Sequence, residues 1–464
     1  MKIYNTYSQQ KEDFIPIRDH KIGFYVCGPT VYDNPHVGHG RSAVAFDIVR
    51  RYLIYKGFEV TFVSNYTDVD DKMIENADKK NLSVKELADK IIPIYETQYG
   101  RLKVMPADIH PKATENVSEM IEIIKQLEKN GHTYKISDGI YFDVATFKKY
   151  GELSKQKIDE LQSNVRKEMN AEKRNHQDFV LWKFEKPGEP TWNSPWGKGR
   201  PGWHIECSAM SAKFLGQPFD IHAGGADLTF PHHECEIAQS ECAKGIEYVK
   251  YWIHNGFITV NKEKMSKSLG NFFTLEDIIN KYSADALRFM FIQSHYRSQI
   301  EFSDDILIKA KSAVMRIQDF YRRIENFSGK ELSTIDVKVE EVCADALNAF
   351  ELAMNDDFDT PVAVAVYYDF IRSINNIFDK EGFSMNAKQN VMRIIDRINK
   401  VFAILKPTGI LPLSQDLQKL INEREIAREQ KDWKRADEIR DELLEHGVVL
   451  EDTSDGTKWK RINS

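Results

Sequence analysis

The spacing of apolar positions changes character several times along the chain, and each change predicts an element. Phe24-Tyr25-Val26 is a continuous apolar run stopped by Cys27-Gly28-Pro29, the pattern of a short buried parallel strand. After a loop to Pro35, Val44, Ile48 and Tyr52 recur at helical spacing and predict a helix over Ser42–Tyr55; Glu59–Ser64 then reads as a second strand. Residues 1–22 are polar and mixed, suiting an edge strand and a loop. A helix over Glu115–Leu127 leads to Gly131, Ile140–Val144 reads as a strand, Arg166–Arg174 as an exposed charged stretch and Pro187–Pro201 as a turn-rich loop. Phe219–His222 and Tyr251–His254 are again strand-like.

Beyond Ser283 helical periodicity is sustained. Ile306, Ala310, Ala313, Ile317, Phe320 and Ile324 mark one face, and Val391, Ile394, Ile398, Val401 and Leu405 another. Thr360-Pro361 reads as a cap and a first-turn proline opening a helix to about Phe378. Cys343 shares a face with Leu347, Phe350 and Met354, which suits core packing. A break at Lys406–Pro412 precedes a charged helical stretch, Asp416–Leu444, and a hairpin of Val448–Asp452 with Lys458–Ile462.

Composition narrows the class. At 464 residues the chain suits about three domains. No apolar run approaches the roughly 18 residues of a membrane span, and the polar N-terminus lacks a signal-peptide core, so the expected setting is the cytoplasm. Five widely spaced cysteines form no disulfide framework. A net charge of -7 argues against indiscriminate nucleic-acid binding but allows a shaped basic surface. Arg428, Lys434, Arg435, Trp459 and Lys460 suit RNA, and equally a solvated surface.

Candidate chemistry gathers at the ends of the predicted strands. His36-Val37-Gly38-His39 stands where a loop enters a helix, offering backbone N–H groups, two side-chain donors and a glycine that admits a phosphate closely. Lys264 and Lys267 in NKEKMSKSLGN form a cationic loop suited to developing negative charge. Thr67 and Asp68 follow a strand end, where ligands gather in open α/β sheets, or else cap the helix from Asp70. Asp227, after Gly224-Gly225, suits ribose hydroxyls, or ends a plain turn. His232 and Glu236 share a helix face, with Cys235 a competing ligand. Cys27 and Cys207, 180 residues apart, carry no metal assignment from spacing alone.

His36-Val37-Gly38-His39 together with Lys264-Met265-Ser266-Lys267-Ser268 resembles the two signature motifs of class I aminoacyl-tRNA synthetases, with Val37 where the commonest form has Ile. The stretches CGPTVYDNPHVGH, WHIECSAMS and GGADLTFPHHECEIAQS extend the resemblance over nearly the whole chain, to the cysteinyl-tRNA synthetase family. Asp285-Ala286-Leu287-Arg288 resembles the segment naming that group's helical anticodon-binding domain.

The resemblance implies an α/β fold with a Rossmann-type parallel-sheet catalytic domain over 1–255, interrupted by an inserted subdomain at about 111–200. A lysine-motif and stem-contact region (256–305), an α-helical bundle (306–405) and a small C-terminal α+β domain that binds tRNA (413–464) follow. It implies activation of L-cysteine by ATP and transfer to the 2′-hydroxyl of the terminal ribose of tRNA(Cys). His36, His39, Lys264 and Lys267 would stabilise phosphate charge, Mg²⁺ would accompany ATP, and Gly38, Gly225 and Asp227 would bind the nucleotide. Thr67, Trp203 and His222 would meet the cysteine. Cys27, Cys207, His232 and Glu236 match the family's ligands for one Zn²⁺ per chain, which would select thiol over hydroxyl. The insertion, about ninety residues, looks too short for an editing domain, and a monomer is expected. A ligase that hands activated cysteine to a sugar amine shares the chemistry but lacks the anticodon-reading end, so residues 310–464 count against it. A non-catalytic zinc- and RNA-binding protein has no use for the lysine motif.

Overall fold

A computed structural model describes residues 1–156, 171–260, 263–264, 273–329, 333–405, 415–445, 448–453 and 456–461. At its centre four parallel strands lie in the order Val249–Asn255, Phe219–Gly225, Lys21–Val26, Glu59–Ser64. Both faces are covered, which explains their unbroken apolar runs. Phe24 and Val26 pack with Val44 and Ile48 of the helix Val37–Tyr55, whereas Tyr25 faces Ile205 and Ile237 of the helices Trp203–Phe214 and Glu234–Lys244. From Lys21–Val26 the chain first moves outward to Glu59–Ser64 and later returns to the other side. The strand order therefore reverses beside Val26, opening a crevice at the strands' C-terminal ends.

Between the halves of this sheet lie the helices Asp71–Lys79, Val84–Arg101 and Val117–Lys129. They are followed by an antiparallel sheet in the order Thr133–Ile136, Gly139–Phe142, Phe179–Phe184, Gly199–Pro201. The expected strand over Ile140–Val144 starts one residue earlier and stops at Phe142, where Asp143 caps a short turn. The end of the expected Pro187–Pro201 loop is an edge strand instead, because Trp182–Phe184 offers it a ladder. Before the main sheet, Lys2–Asn5 and Gln10–Asp13 form a hairpin.

The helical part contains Leu275–Lys281, Ala284–Ile292, Asp304–Glu325, Ser333–Asn355, Thr360–Lys380 and Met385–Phe402. Its cap at the fifth of these is Asp359, not Thr360: the carboxylate accepts from Val362 N–H. Cys343, Phe350 and Met354 are buried there as expected. One apolar core runs from the Val37–Tyr55 helix into this bundle. Inside it the fully buried Arg288 donates to Asp47 Oδ2 (2.6 Å), Phe402 O (2.7 Å) and Leu102 O (2.9 Å).

Residues 406–464 form a separate compact unit. The single charged helix expected over Asp416–Leu444 is two, Gln415–Glu429 and Trp433–Glu445, with Lys431 between them at φ +61°. Val448–Thr453 and Gly456–Arg461 make the hairpin, and Ile421, Ile439, Leu443 and Val448 form its core with the helices. Among the described residues no helix is long and apolar enough to cross a membrane.

Candidate active site and metal centre

The helix expected from Ser42 starts five residues earlier, because two histidines cap it. His39 N–H donates to His36 Nδ1 (3.3 Å) and His36 N–H to His39 Nδ1 (3.2 Å), with the rings stacked 3.7 Å apart. This is a capping box built without Ser, Thr, Asp or Asn. Each Nδ1 accepts a backbone proton, so the neutral rings carry their own proton on Nε2. Two preoriented donors thus stand at the positive end of a 19-residue helix.

They open on a cavity of about 640 Å³ at the sheet's crevice. Of the residues expected at nucleotide and substrate, His36, Gly38, His39, Trp203, Gly225 and Asp227 all line it, with Cys27. Gly28 is compelled by its surroundings: a Cβ there would fall 1.6 Å from Asn65 O. Lys267 lies outside the described residues. Lys264 is described only as backbone, in a two-residue strand paired with Ile258–Val260.

Behind Cys27, four donors converge. Cys27 Sγ lies 3.4 Å from Cys207 Sγ and 3.4 Å from Glu236 Oε1, and His232 Nε2 lies 3.0 Å from the same oxygen. All four donor atoms fall within 4.8 Å of one another. Two sulfurs, one imidazole and one carboxylate at this spacing suit a tetrahedral, borderline-soft ion. A second group, Cys27, His222, His233 and Glu236, meets the same distance limit and shares two members with the first.

The electrostatics favour a charged nest. Burial opposes ionisation of Cys207, but hydrogen bonds with Cys27 and His232 outweigh it and draw the thiol down to about 6. Burial likewise opposes charge on His232, yet Glu236 and Cys207 hold it up at about 10. Glu236 stays well below the usual carboxylate range despite burial, because His222 and His232 face it. Cys27, by contrast, is pushed well up by burial.

A ring of further groups holds these donors. Glu236 Oε2 accepts from Tyr248 O–H (3.0 Å) and faces His222 Nε2 (2.9 Å), leaving Oε1 towards His232 and Cys27. His232 Nδ1 meets His204 Nδ1 at 2.9 Å, and Trp203, 38% exposed, stacks on His232 at 4.2 Å. Thr67 is buried and donates to Glu206 Oε2 (2.9 Å), the carboxyl group being raised well above its usual range by burial. Thr67 and His222 thus stand behind the cavity wall. Asp70, not Thr67 or Asp68, caps the next helix, while Asp68 accepts from Thr114. Cys235 is in neither donor group; its thiol meets Tyr150 Oη at 3.3 Å. His204, Glu206, Tyr248 and His254 were not singled out by sequence. The available signal was a titratable residue inside an apolar segment.

Comparison with known proteins agrees with this geometry. The family model for the class I (C) tRNA synthetase catalytic domain matches residues 13–312. A DALR domain matches 349–406, and the cysteinyl-tRNA ligase anticodon binding domain matches 412–459. The cysteine–tRNA ligase of Thermodesulfovibrio yellowstonii is 49% identical over 487 residues, and that of Finegoldia magna 47% over 469, with all of each chain covered in both comparisons. Among solved structures, Mycobacterium tuberculosis methionyl-tRNA synthetase in complex with methionyl-adenylate superposes with a TM-score of 0.60 at 13% identity, covering 83% of this chain and 88% of that one. That likeness concerns the fold alone.

Proposed function

The chain belongs to the cysteinyl-tRNA synthetase family, and on that premise we propose how its residues divide the work of joining cysteine to tRNA with ATP. In the first step the cysteine carboxylate attacks the α-phosphate, forming cysteinyl-adenylate and releasing pyrophosphate. In the second, the 2′-hydroxyl of the tRNA's terminal ribose attacks the acyl carbon and AMP leaves. Neither step needs a protein nucleophile. The requirement is charge stabilisation on phosphate oxygens in the transition state.

His36 and His39 are assigned to that task, with their Nε2 protons directed by the reciprocal caps, and Lys264 and Lys267 join them. Gly38, Gly225 and Asp227 bind the nucleotide, and Mg²⁺ accompanies it. A Cβ on Gly225 would fall 2.5 Å from Asp227 Oδ1, so glycine there leaves the carboxylate its place in the cavity wall. Trp203 meets the substrate from that wall, while Thr67 and His222 act from the buried side, beside Glu206 and Glu236.

Cys27, Cys207, His232 and Glu236 would hold one Zn²⁺ per chain. Bound there, zinc supplies affinity for a thiolate that a neutral hydroxyl lacks. The observation carrying this reading is the donor nest reached through Cys27, which lines the nucleotide cavity. The division into 1–255, 256–305, 306–405 and 413–464, a monomeric state and a cytoplasmic setting complete the proposal. Cysteine-dependent ATP–pyrophosphate exchange, followed by charging of tRNA(Cys), tests it. Exchange without charging would point to a ligase for another acceptor, and no cysteine-dependent exchange would overturn it.

A further inference from the structure

Cys27 is the donor shared by both candidate metal groups, and it has a third neighbour on its buried side. His233 Nε2 lies 3.3 Å from Cys27 Sγ. The other nitrogen of that ring, Nδ1, lies 2.8 Å from His254 Nε2, and His254 Nδ1 lies 2.8 Å from Thr6 Oγ1. His233 is fully buried and His254 almost so, and among the described residues no other hydrogen-bond geometry competes for the facing pair of ring nitrogens between them. Ring nitrogens facing each other at 2.8 Å share a single proton, the arrangement of two neutral imidazoles with one N–H and one lone pair each.

We propose that Thr6, His254 and His233 form a directed hydrogen-bond chain that aims an N–H at Cys27 sulfur, making His233 a positioning residue and not a metal ligand. The proposal rests on Cys27 being a ligand. A metal-bound cysteine is a thiolate and only accepts. His233 Nε2 must then carry the proton, so its Nδ1 must accept from His254 Nε2–H. His254 Nδ1 must in turn accept the Thr6 hydroxyl proton. Each link leaves the next one choice. Glu236 agrees with this assignment, because its Oε2 is taken by Tyr248 and faces His222, and only Oε1 turns to the Cys207–His232 side.

The consequence concerns the metal's appetite for a further sulfur. An N–H···S hydrogen bond draws charge from the thiolate, so Cys27 donates less to the ion and the ion stays more receptive to the substrate's thiolate. The last link is supplied by the N-terminal hairpin, where Thr6 N–H donates to Trp252 O at 2.8 Å and fixes the residue beside the strand that carries His254. The first residues of the chain thereby reach the metal centre through two imidazoles.

The test uses full-length protein stripped of metal and reloaded with Co²⁺, whose sulfur-to-metal charge-transfer band reports charge on the ligating thiolates. His254→Leu should move that band to lower energy, as a thiolate that has lost its directed N–H donor gives more charge to the metal. His254→Gln, whose amide N–H still donates to His233, should restore it. Thr6→Val should shift the band in the same direction by less, and this half-buried position keeps the test available if His254→Leu does not fold. An unchanged band in folded His254→Leu, or in Thr6→Val if that protein does not fold, overturns the chain. So does loss of a coordinating nitrogen from the cobalt spectrum of His233→Gln, which would make His233 a ligand. Wild-type protein that takes up no cobalt with thiolate character overturns the zinc reading itself, a result distinct from a band that is present and indifferent.

Discussion

Cys207 and Lys267 test the two halves of the chemistry separately. Cys207 is buried among Cys27, His232 and Glu236, so its removal leaves three donors where four had converged. Cys207→Ala should lower bound zinc from about one equivalent to near zero, as a closed four-ligand site requires; elemental analysis of protein purified without added metal reads it. Lys267→Ala should retain full metal but slow single-turnover adenylate formation by roughly 10²-fold or more, with a smaller effect on ATP binding. An unchanged rate removes Lys267 from the catalytic set. Spacing paired His232 with Glu236, but Cys27 and Cys207 were legible as donors only through family resemblance, since they are 180 residues apart and meet because parallel-sheet topology brings them together. The histidines and tyrosine around them stayed hidden for the same reason. Their partners are set by tertiary packing, and nothing local distinguishes His254 at the end of an apolar strand from any other buried imidazole.

At the scale of elements, the Asp285-Ala286-Leu287-Arg288 segment has a structural explanation of its own. Arg288 ties the Val37–Tyr55 helix through Asp47, the end of Val84–Arg101 through Leu102 O, and the end of Met385–Phe402 through Phe402 O. One cation thus fixes the histidine-bearing helix against the bundle. Arg288→Met should destabilise the protein by roughly 3 kcal/mol, because it breaks a buried ion pair with Asp47, which keeps Arg51 at 2.8 Å, and removes the donor to Leu102 O and Phe402 O; urea unfolding measures it, and a loss under about 1 kcal/mol would contradict it. Element boundaries were legible where side chains alone decide them. Glu59–Ser64 matches residue for residue, and Val391, Ile394, Ile398 and Val401 of the last bundle helix are all buried, with Leu405 buried just past its end. They were missed where a cap or a partner decides. The His36–His39 box carries no ordinary N-cap residue, Asp359 displaces Thr360 as the cap, and Lys431 turns the chain at positive φ without a glycine.

Across the whole molecule, the cavity at the sheet's crevice and the donor nest lie within residues 1–405, while the match to an anticodon binding domain covers 412–459. A protein ending at Leu405 should keep cysteine-dependent pyrophosphate exchange, and its charging of tRNA should fall chiefly through weaker tRNA binding, since the lost contacts are to RNA. Both activities measured on the same folded truncation decide this; unchanged affinity for tRNA would show that the tail is not an RNA-binding element. The sequence signal for a boundary here was the break at Lys406–Pro412, which lies outside the described residues, and the charged tail beyond it. The central claim is that a metal nest, rather than cavity shape or later correction, separates cysteine from serine. A site of fixed shape discriminates poorly between side chains this small, whereas a ligand that must bind metal is refused when it cannot. The direct measurement is pyrophosphate exchange with cysteine and serine side by side on zinc-loaded protein. The metal nest predicts a preference for cysteine of at least about 10⁴-fold. Comparable activation of serine, followed by hydrolysis of Ser-tRNA by this same chain, would contradict it.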